Sequence, residues 1–377
     1  MGQVRPGISV LVDARRDLLR GRRVGVLTGP SGVLPDLTGA ADALLQAADV
    51  RALFGPEHGL HGAAAAGAHI ASRTHHSGVP VYSLYGANLA PSPEQLADLD
   101  VIVCDIQDVG CRFYTYVWTL VKLMQSAAAA GVAVIVADRP NPLGGAVEGP
   151  GVDNDYRTLV GLHDVPIRHG LTLGELARLA NGELGIGCDL TIVPCAGWRR
   201  ADGWEATGLS WVPPSPNMPT AATALVYPGT CLLEGTNLSI GRGTALPFEW
   251  LGAPWIDGIV LADALNKTDV PGVRWRTVAF QPCAAPYAGE LCYGVQPHVM
   301  DAQAFRPVLS GITLLSVLKQ THDHFAWSVT HFDRLAGSPR MREAIEAGIS
   351  PAEIAAEWRG YEAAFRVRAA RFLLYPE

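Results

Sequence analysis

Val101-Ile102-Val103-Cys104-Asp105, the helix-compatible stretch Tyr116–Ala130 closed by Gly131, and Val132-Ala133-Val134-Ile135-Val136-Ala137 decide the fold. Apolar runs this short, without the alternation of a half-wetted strand, are those of strands buried on both faces. The same order of segments occurs upstream. Val24-Gly25-Val26-Leu27-Thr28 precedes a helix-compatible stretch at 39–48, and Val50-Arg51-Ala52-Leu53-Phe54 follows it. Val81-Tyr82-Ser83-Leu84 is a further strand, and Pro93 opens a short helix. Strands alternating with helices predict an α/β fold: a Rossmann-like, doubly wound parallel sheet over residues 1–150.

The pattern changes after residue 150. A helix is predicted over 171–181, with Thr172 as N-cap and Glu175 completing a capping box. Leu190-Thr191-Ile192-Val193 reads as a strand, 211–219 is too rich in proline for a regular element, and 220–256 reads as a dense run of glycine, threonine and polar residues. A helix near 309–321 and two more near the carboxyl end follow. Since 377 residues are many for one core, residues 151–377 are expected to form a second, smaller α/β domain closing a cleft.

The net charge of −7, from 29 basic and 36 acidic residues, and the lack of any long basic run argue against a nucleic-acid partner. No stretch of about 18 apolar residues is present, so no membrane span is expected. Residues 1–19 are interrupted by charge and do not read as a signal peptide, which places the chain as given in the cytoplasm, or outside it if a leader has been removed. The seven cysteines form no Cys-x-x-Cys pair and are read as small buried apolar residues.

Several signatures are missing. No Gly-x-Gly-x-x-Gly, P-loop, Gly-x-Ser-x-Gly or His-Glu-x-x-His occurs, so no nucleotide or other cofactor is expected. What remains is a set of polar loops at the carboxyl ends of the predicted strands, where open α/β sheets hold their ligands. Phe54-Gly55-Pro56-Glu57-His58-Gly59 sets a carboxyl beside an imidazole in a Gly/Pro-framed turn. Glu57 there is either a proton donor or a turn-capping or Arg-paired carboxylate. His58 and His61 have the spacing of a metal pair, but suitably spaced acids lie in other loops, so no metal is assigned.

Asp105-Ile106-Gln107-Asp108-Val109-Gly110-Cys111-Arg112-Phe113-Tyr114-Thr115-Tyr116 is denser in polar groups than a simple connection needs. Asp105, Gln107, Arg112 and Tyr114 are side chains of the kind that grip hydroxyls and carboxylates, although Asp105 and Arg112 would equally make a structural ion pair. Asn141 and Asn217 sit in proline-rigidified loops, as suits a preorganised contact or a plain turn. Glu234, Asn237 and Arg242 combine acid, amide and cation within a few residues.

With these motifs in this order, the chain resembles the exo-β-N-acetylmuramidases, NamZ-type glycoside hydrolases long catalogued as a domain of unknown function. The resemblance rests on Gly55-Pro56-Glu57-His58-Gly59, Asp105 through Gly110, Arg112 through Tyr116, Asp138-Arg139-Pro140-Asn141-Pro142 and Glu148-Gly149-Pro150. It continues through Pro214 to Pro219, Tyr227-Pro228-Gly229-Thr230, Glu234-Gly235-Thr236-Asn237 and Gly241-Arg242-Gly243-Thr244. It implies release of N-acetylmuramic acid from non-reducing ends of peptidoglycan fragments, with Glu57 as the acid.

The second catalytic group is then Asp108, Asp105 or Glu234, with Asp108 carried forward, unless the sugar's own acetamido group serves. His58, Gln107, Tyr114, Asn141, Asn217 and Asn237 join Asp105 and Glu234 as substrate-binding candidates. Arg112 or Arg242 would meet the lactyl carboxylate of muramic acid. Two other readings stay open: a non-catalytic muropeptide or sugar-phosphate binder on the same crevice, and a metal-dependent hydrolase using His58 and His61.

Overall fold

The computed structural model describes residues 3–63, 73–86 and 88–377. Its larger sheet is built from β1 (Arg23–Thr28), β2 (Asp49–Gly55), β3 (Arg73–Thr74), β4 (Pro80–Ser83), β5 (Val101–Asp105), β6 (Ala133–Ala137) and β7 (Leu190–Val193), in the order β3-β4-β2-β1-β5-β6-β7. All neighbours pair in parallel except β3 with β4. The order reverses between β1 and β5, which makes the sheet doubly wound, as the sequence predicts.

The apolar runs follow from burial on both faces. Successive side chains point to opposite sides of a strand. Val101 and Val103 therefore join one core with Ile8, Leu11 and Leu44, contributed by α1 (Gly7–Ala14) and α2 (Ala40–Ala47). Ile102 and Cys104 join the other, with residues from α3 (Pro93–Leu96), α4 (Tyr116–Ala130) and α5 (Leu173–Glu183). Gly131 ends α4 in the left-handed conformation, and Thr172 with Glu175 closes the reciprocal capping box of α5.

The large sheet continues past residue 150, because β7 pairs with β6. The carboxyl-terminal tail also returns to it: Asp138, at the end of β6, accepts hydrogen bonds at 2.6 Å from Thr172 Oγ1 and from Tyr375 Oη.

The rest of the chain begins with α6 (Ala221–Thr230), then an antiparallel sheet of β8 (Leu251–Ala253), β9 (Val273–Phe280) and β10 (Cys292–Val299), with β10 central. Helix α7 (Gly258–Asn266) packs on β9 and β10, and α8 (Pro307–Thr321) packs on α6 and α7. Close approach of α6 and α8 requires Gly229 and Gly311, since a Cβ on Gly311 would lie 2.7 Å from Gly229 Cα. Helices α9 (Val329–Ala336), α10 (Arg340–Glu346) and α11 (Pro351–Ala369) complete the chain, three where the sequence predicts two. One apolar cluster runs from α4 and β5 through Ile167 into Leu232, Leu251 and Ile312, so the two parts share a core.

Candidate active site

The switch point between β1 and β5 is closed. Asp105 is fully buried there, and Arg139 grips both its oxygens, Nε at 2.6 Å and Nη2 at 2.9 Å, while also donating to Val33 O. The open cleft lies instead beyond β2, with a volume of about 220 Å³. One wall is the β2 turn and the segment leading into α4, with Glu57, His58, Tyr85, Tyr114, Thr115 and Tyr116. The opposite wall brings Ser215, Asn217, Tyr227, Glu234, Arg242 and His331 from the second half.

The Glu57 turn is tight. A Cβ on Gly55 would stand 2.6 Å from Leu60 N, so only glycine lets the chain fold back there. His58 takes the left-handed conformation, φ 71°, uncommon for a residue with a Cβ and a form of local strain that clusters at functional sites. Glu57 is largely buried, and Thr115 Oγ1 donates to its Oε2 at 2.8 Å. Tyr85 lines the same wall, and its hydroxyl is pushed up to about 12 by burial and by the Glu57 charge. The Thr115 hydroxyl thus aims the Glu57 carboxyl from one wall. Tyr116 braces the turn, donating to Pro214 O at 2.6 Å and standing 3.3 Å from Glu57 O.

Across the cleft, Arg242 donates to Glu234 Oε1 through Nε at 3.0 Å and Nη2 at 2.6 Å, and lies over the Phe248 ring. His331 Nε2 is 3.6 Å from Glu234 Oε2. Burial opposes the charge on Glu234, but His331 and Arg242 outweigh it and hold the carboxyl below its ordinary range. Arg242 is likewise raised, because pairing with Glu234 outweighs its desolvation. A depressed folded-state pKa contributes stability above the unfolded value and loses it as pH falls through the folded one. Between about pH 5 and 3, wild type is therefore expected to lose more unfolding free energy than Glu234→Gln, read from denaturant midpoints.

Tyr114 is buried edge-on against Tyr227, which is itself edge-on to Phe248, so the cleft has an aromatic lining. Burial pushes the Tyr114 hydroxyl well up, keeping it protonated.

The other sequence candidates lie outside this cleft lining. Arg112 is fully buried and donates to Pro150 O at 2.8 Å, Val165 O at 3.0 Å and Leu335 O at 2.8 Å, which ties the segment before α4 to α9. Desolvation lowers its guanidinium to about 10. Asp108 Oδ2 accepts from Gly110 N at 2.7 Å and faces His169 Nε2 at 3.4 Å. Gln107 donates to the carbonyls of Asp108 and Pro140. Asn141 bridges Leu171 O and Leu143 N, and Asn237 bridges His324 O and Ala326 N. Tyr85, Thr115, Tyr116, Tyr227 and His331 line the cleft without having been singled out as site residues. Thr115, Tyr116 and Tyr227 stand inside quoted motifs, whereas Tyr85 and His331 carry no local signal.

A carboxyl aimed by a hydroxyl donor, a second carboxylate held ionised opposite it and aromatic walls are the equipment of a glycosidase cleft. The chain belongs to the exo-β-N-acetylmuramidase NamZ family: the family's N-terminal model matches residues 24–222 and its C-terminal model residues 225–375. It is 43% identical to the peptidoglycan β-N-acetylmuramidase NamZ of Bacillus subtilis (strain 168), across 99% of this chain and 92% of that protein. Two crystal structures of DUF1343 family proteins from Bacteroides fragilis share the architecture. One has a TM-score of 0.91 at 35% identity over 99% of both chains, the other 0.77 at 31% over the whole of both.

Proposed function

We propose that this chain is an exo-β-N-acetylmuramidase that releases N-acetylmuramic acid from the non-reducing end of peptidoglycan fragments, with Glu57 protonating the leaving oxygen. The observation that carries the assignment of the acid is the placement of Glu57, buried at the cleft wall with Thr115 Oγ1 on one carboxyl oxygen. A proton donor needs such aim, because transfer requires hydrogen-bond distance to the departing atom.

The second carboxylate falls to Glu234. It lines the same cleft, and its Arg242 and His331 partners favour the ionised form that stabilises positive charge at the anomeric carbon or activates water. Asp108 is assigned a positioning role: its hold on Gly110 N fixes the loop that delivers Tyr114 and Thr115 to the cleft. Tyr114 and Tyr227 provide aromatic surface for the sugar.

The lactyl carboxylate requires a cation. Arg242 lines the cleft and engages Glu234 through Nε and Nη2, leaving the Nη1 side of its fork for the substrate. Arg242→Met is expected to raise KM for a β-N-acetylmuramide by about tenfold or more, and, by releasing Glu234, to lower kcat alike on substrates with and without the lactyl group. Steady-state kinetics on substrates with and without the lactyl group test this, and an equal rise in KM on both contradicts it. The reading as a whole is tested by the rate of muramic acid release from a natural muramyl disaccharide.

A further inference from the structure

Outside the cleft, one trio of metal-ligating side chains converges among the described residues: Asp42, His75 and His76, whose donor atoms all lie within 4.8 Å of one another. Asp42 stands in the first turn of α2, and the two histidines open the turn between β3 and β4. Neighbours in an extended chain point to opposite sides. Here the turn, closed by His75 N to Val79 O and Gly78 N to His75 O with Gly78 at φ 86°, sets the two rings 3.9 Å apart. His76 Nε2 is 3.8 Å from Asp42 Oδ1.

Two imidazoles at that separation repel when both are protonated and cooperate when both are neutral around one cation. His75 Nδ1 lies 2.9 Å from Ser77 Oγ. Ser77 N also donates to Nδ1, at 3.4 Å, so the turn itself holds the ring in place beside His76. Two imidazoles and one carboxylate suit zinc and its borderline neighbours, whereas magnesium and calcium prefer all-oxygen sites.

We propose that Asp42, His75 and His76 bind a borderline divalent transition ion, zinc foremost, which pins the β3–β4 turn to α2. The site is structural. It uses residues other than Glu57 and the His58/His61 pair, and it stabilises the chain that returns to the sheet after the Glu57 turn.

The test is calorimetric titration of zinc chloride into the tag-free full-length chain, its His75→Ala, His76→Ala and Asp42→Asn variants, and wild type with excess magnesium. The expected result is one saturable site, weakened at least tenfold by each histidine substitution, less by Asp42→Asn, and indifferent to magnesium. Zinc should also slow proteolytic cleavage between residues 73 and 83 in wild type and not in the histidine variants. These positions are partly or largely exposed, and circular dichroism identifies any variant that misfolds, leaving the others to decide. No saturable binding by wild type overturns the proposal, as does an isotherm unchanged in the folded variants.

Discussion

Glu57→Gln is expected to lower hydrolysis of a muramyl disaccharide by about 10²-fold or more, with binding and folding retained. The amide keeps the shape of the carboxyl and an oxygen able to accept from Thr115 Oγ1, which stands 2.8 Å from Glu57 Oε2. What is lost is the transferable proton. The loss should therefore fall on kcat, with KM for the disaccharide little changed. A chromogenic muramide, whose leaving group needs little protonation, should suffer much less than the natural disaccharide. Equal, small losses on both would remove Glu57 from the role of acid.

Arg112→Met is expected to destabilise the fold by about 3 kcal/mol or more, and not to act selectively on the lactyl group. Three buried carbonyls, Pro150 O, Val165 O and Leu335 O, lose a charged donor at once, at about 1–3 kcal/mol for each orphaned group. Relief from desolvating the guanidinium offsets part of that loss, which keeps the sum nearer the lower end. Because Leu335 belongs to α9 and Arg112 to the segment before α4, the damage spreads across the contact between the two halves. Denaturant unfolding of Arg112→Met beside Arg242→Met separates the roles. The first should lower the midpoint strongly, and the second should change KM.

That contrast shows where the sequence stops being legible. Strands β1, β5 and β6 were readable because burial on both faces writes itself as an unbroken apolar run, as in Val101 to Asp105, whereas the two-residue β3, Arg73–Thr74, carries no such run. Helix α5 was readable because its capping box is local. Helix α6 was not: 220–256 reads as a dense run of glycine, threonine and polar residues, yet the chain stays helical through Pro228 and Gly229, with the glycine admitting α8.

Glu57, His58, Asn217, Glu234 and Arg242 were legible as cleft residues since each is a polar group in a Gly- or Pro-framed loop at the mouth. Arg112 and Arg242 look alike in sequence. What separates them is the burial of Arg112 beneath Leu335, more than two hundred residues away, which no local pattern reports. Asp105 was open in the sequence between binding and ion pairing. It pairs, but with Arg139 at the end of the next strand, because the carboxyl ends of β5 and β6 are neighbours. Tyr85 and His331 reach the cleft singly from distant segments, so their presence is visible only in the folded chain.

The most direct test of the central claim is the initial rate of sugar release by the wild-type chain from a disaccharide with N-acetylmuramic acid at its non-reducing end, beside the isomer with N-acetylglucosamine there. The account predicts turnover of the first, with free N-acetylmuramic acid as product, and at most trace cleavage of the second. Turnover of neither, with muramic acid still bound in the cleft, would contradict it and leave a binding protein in place of the enzyme.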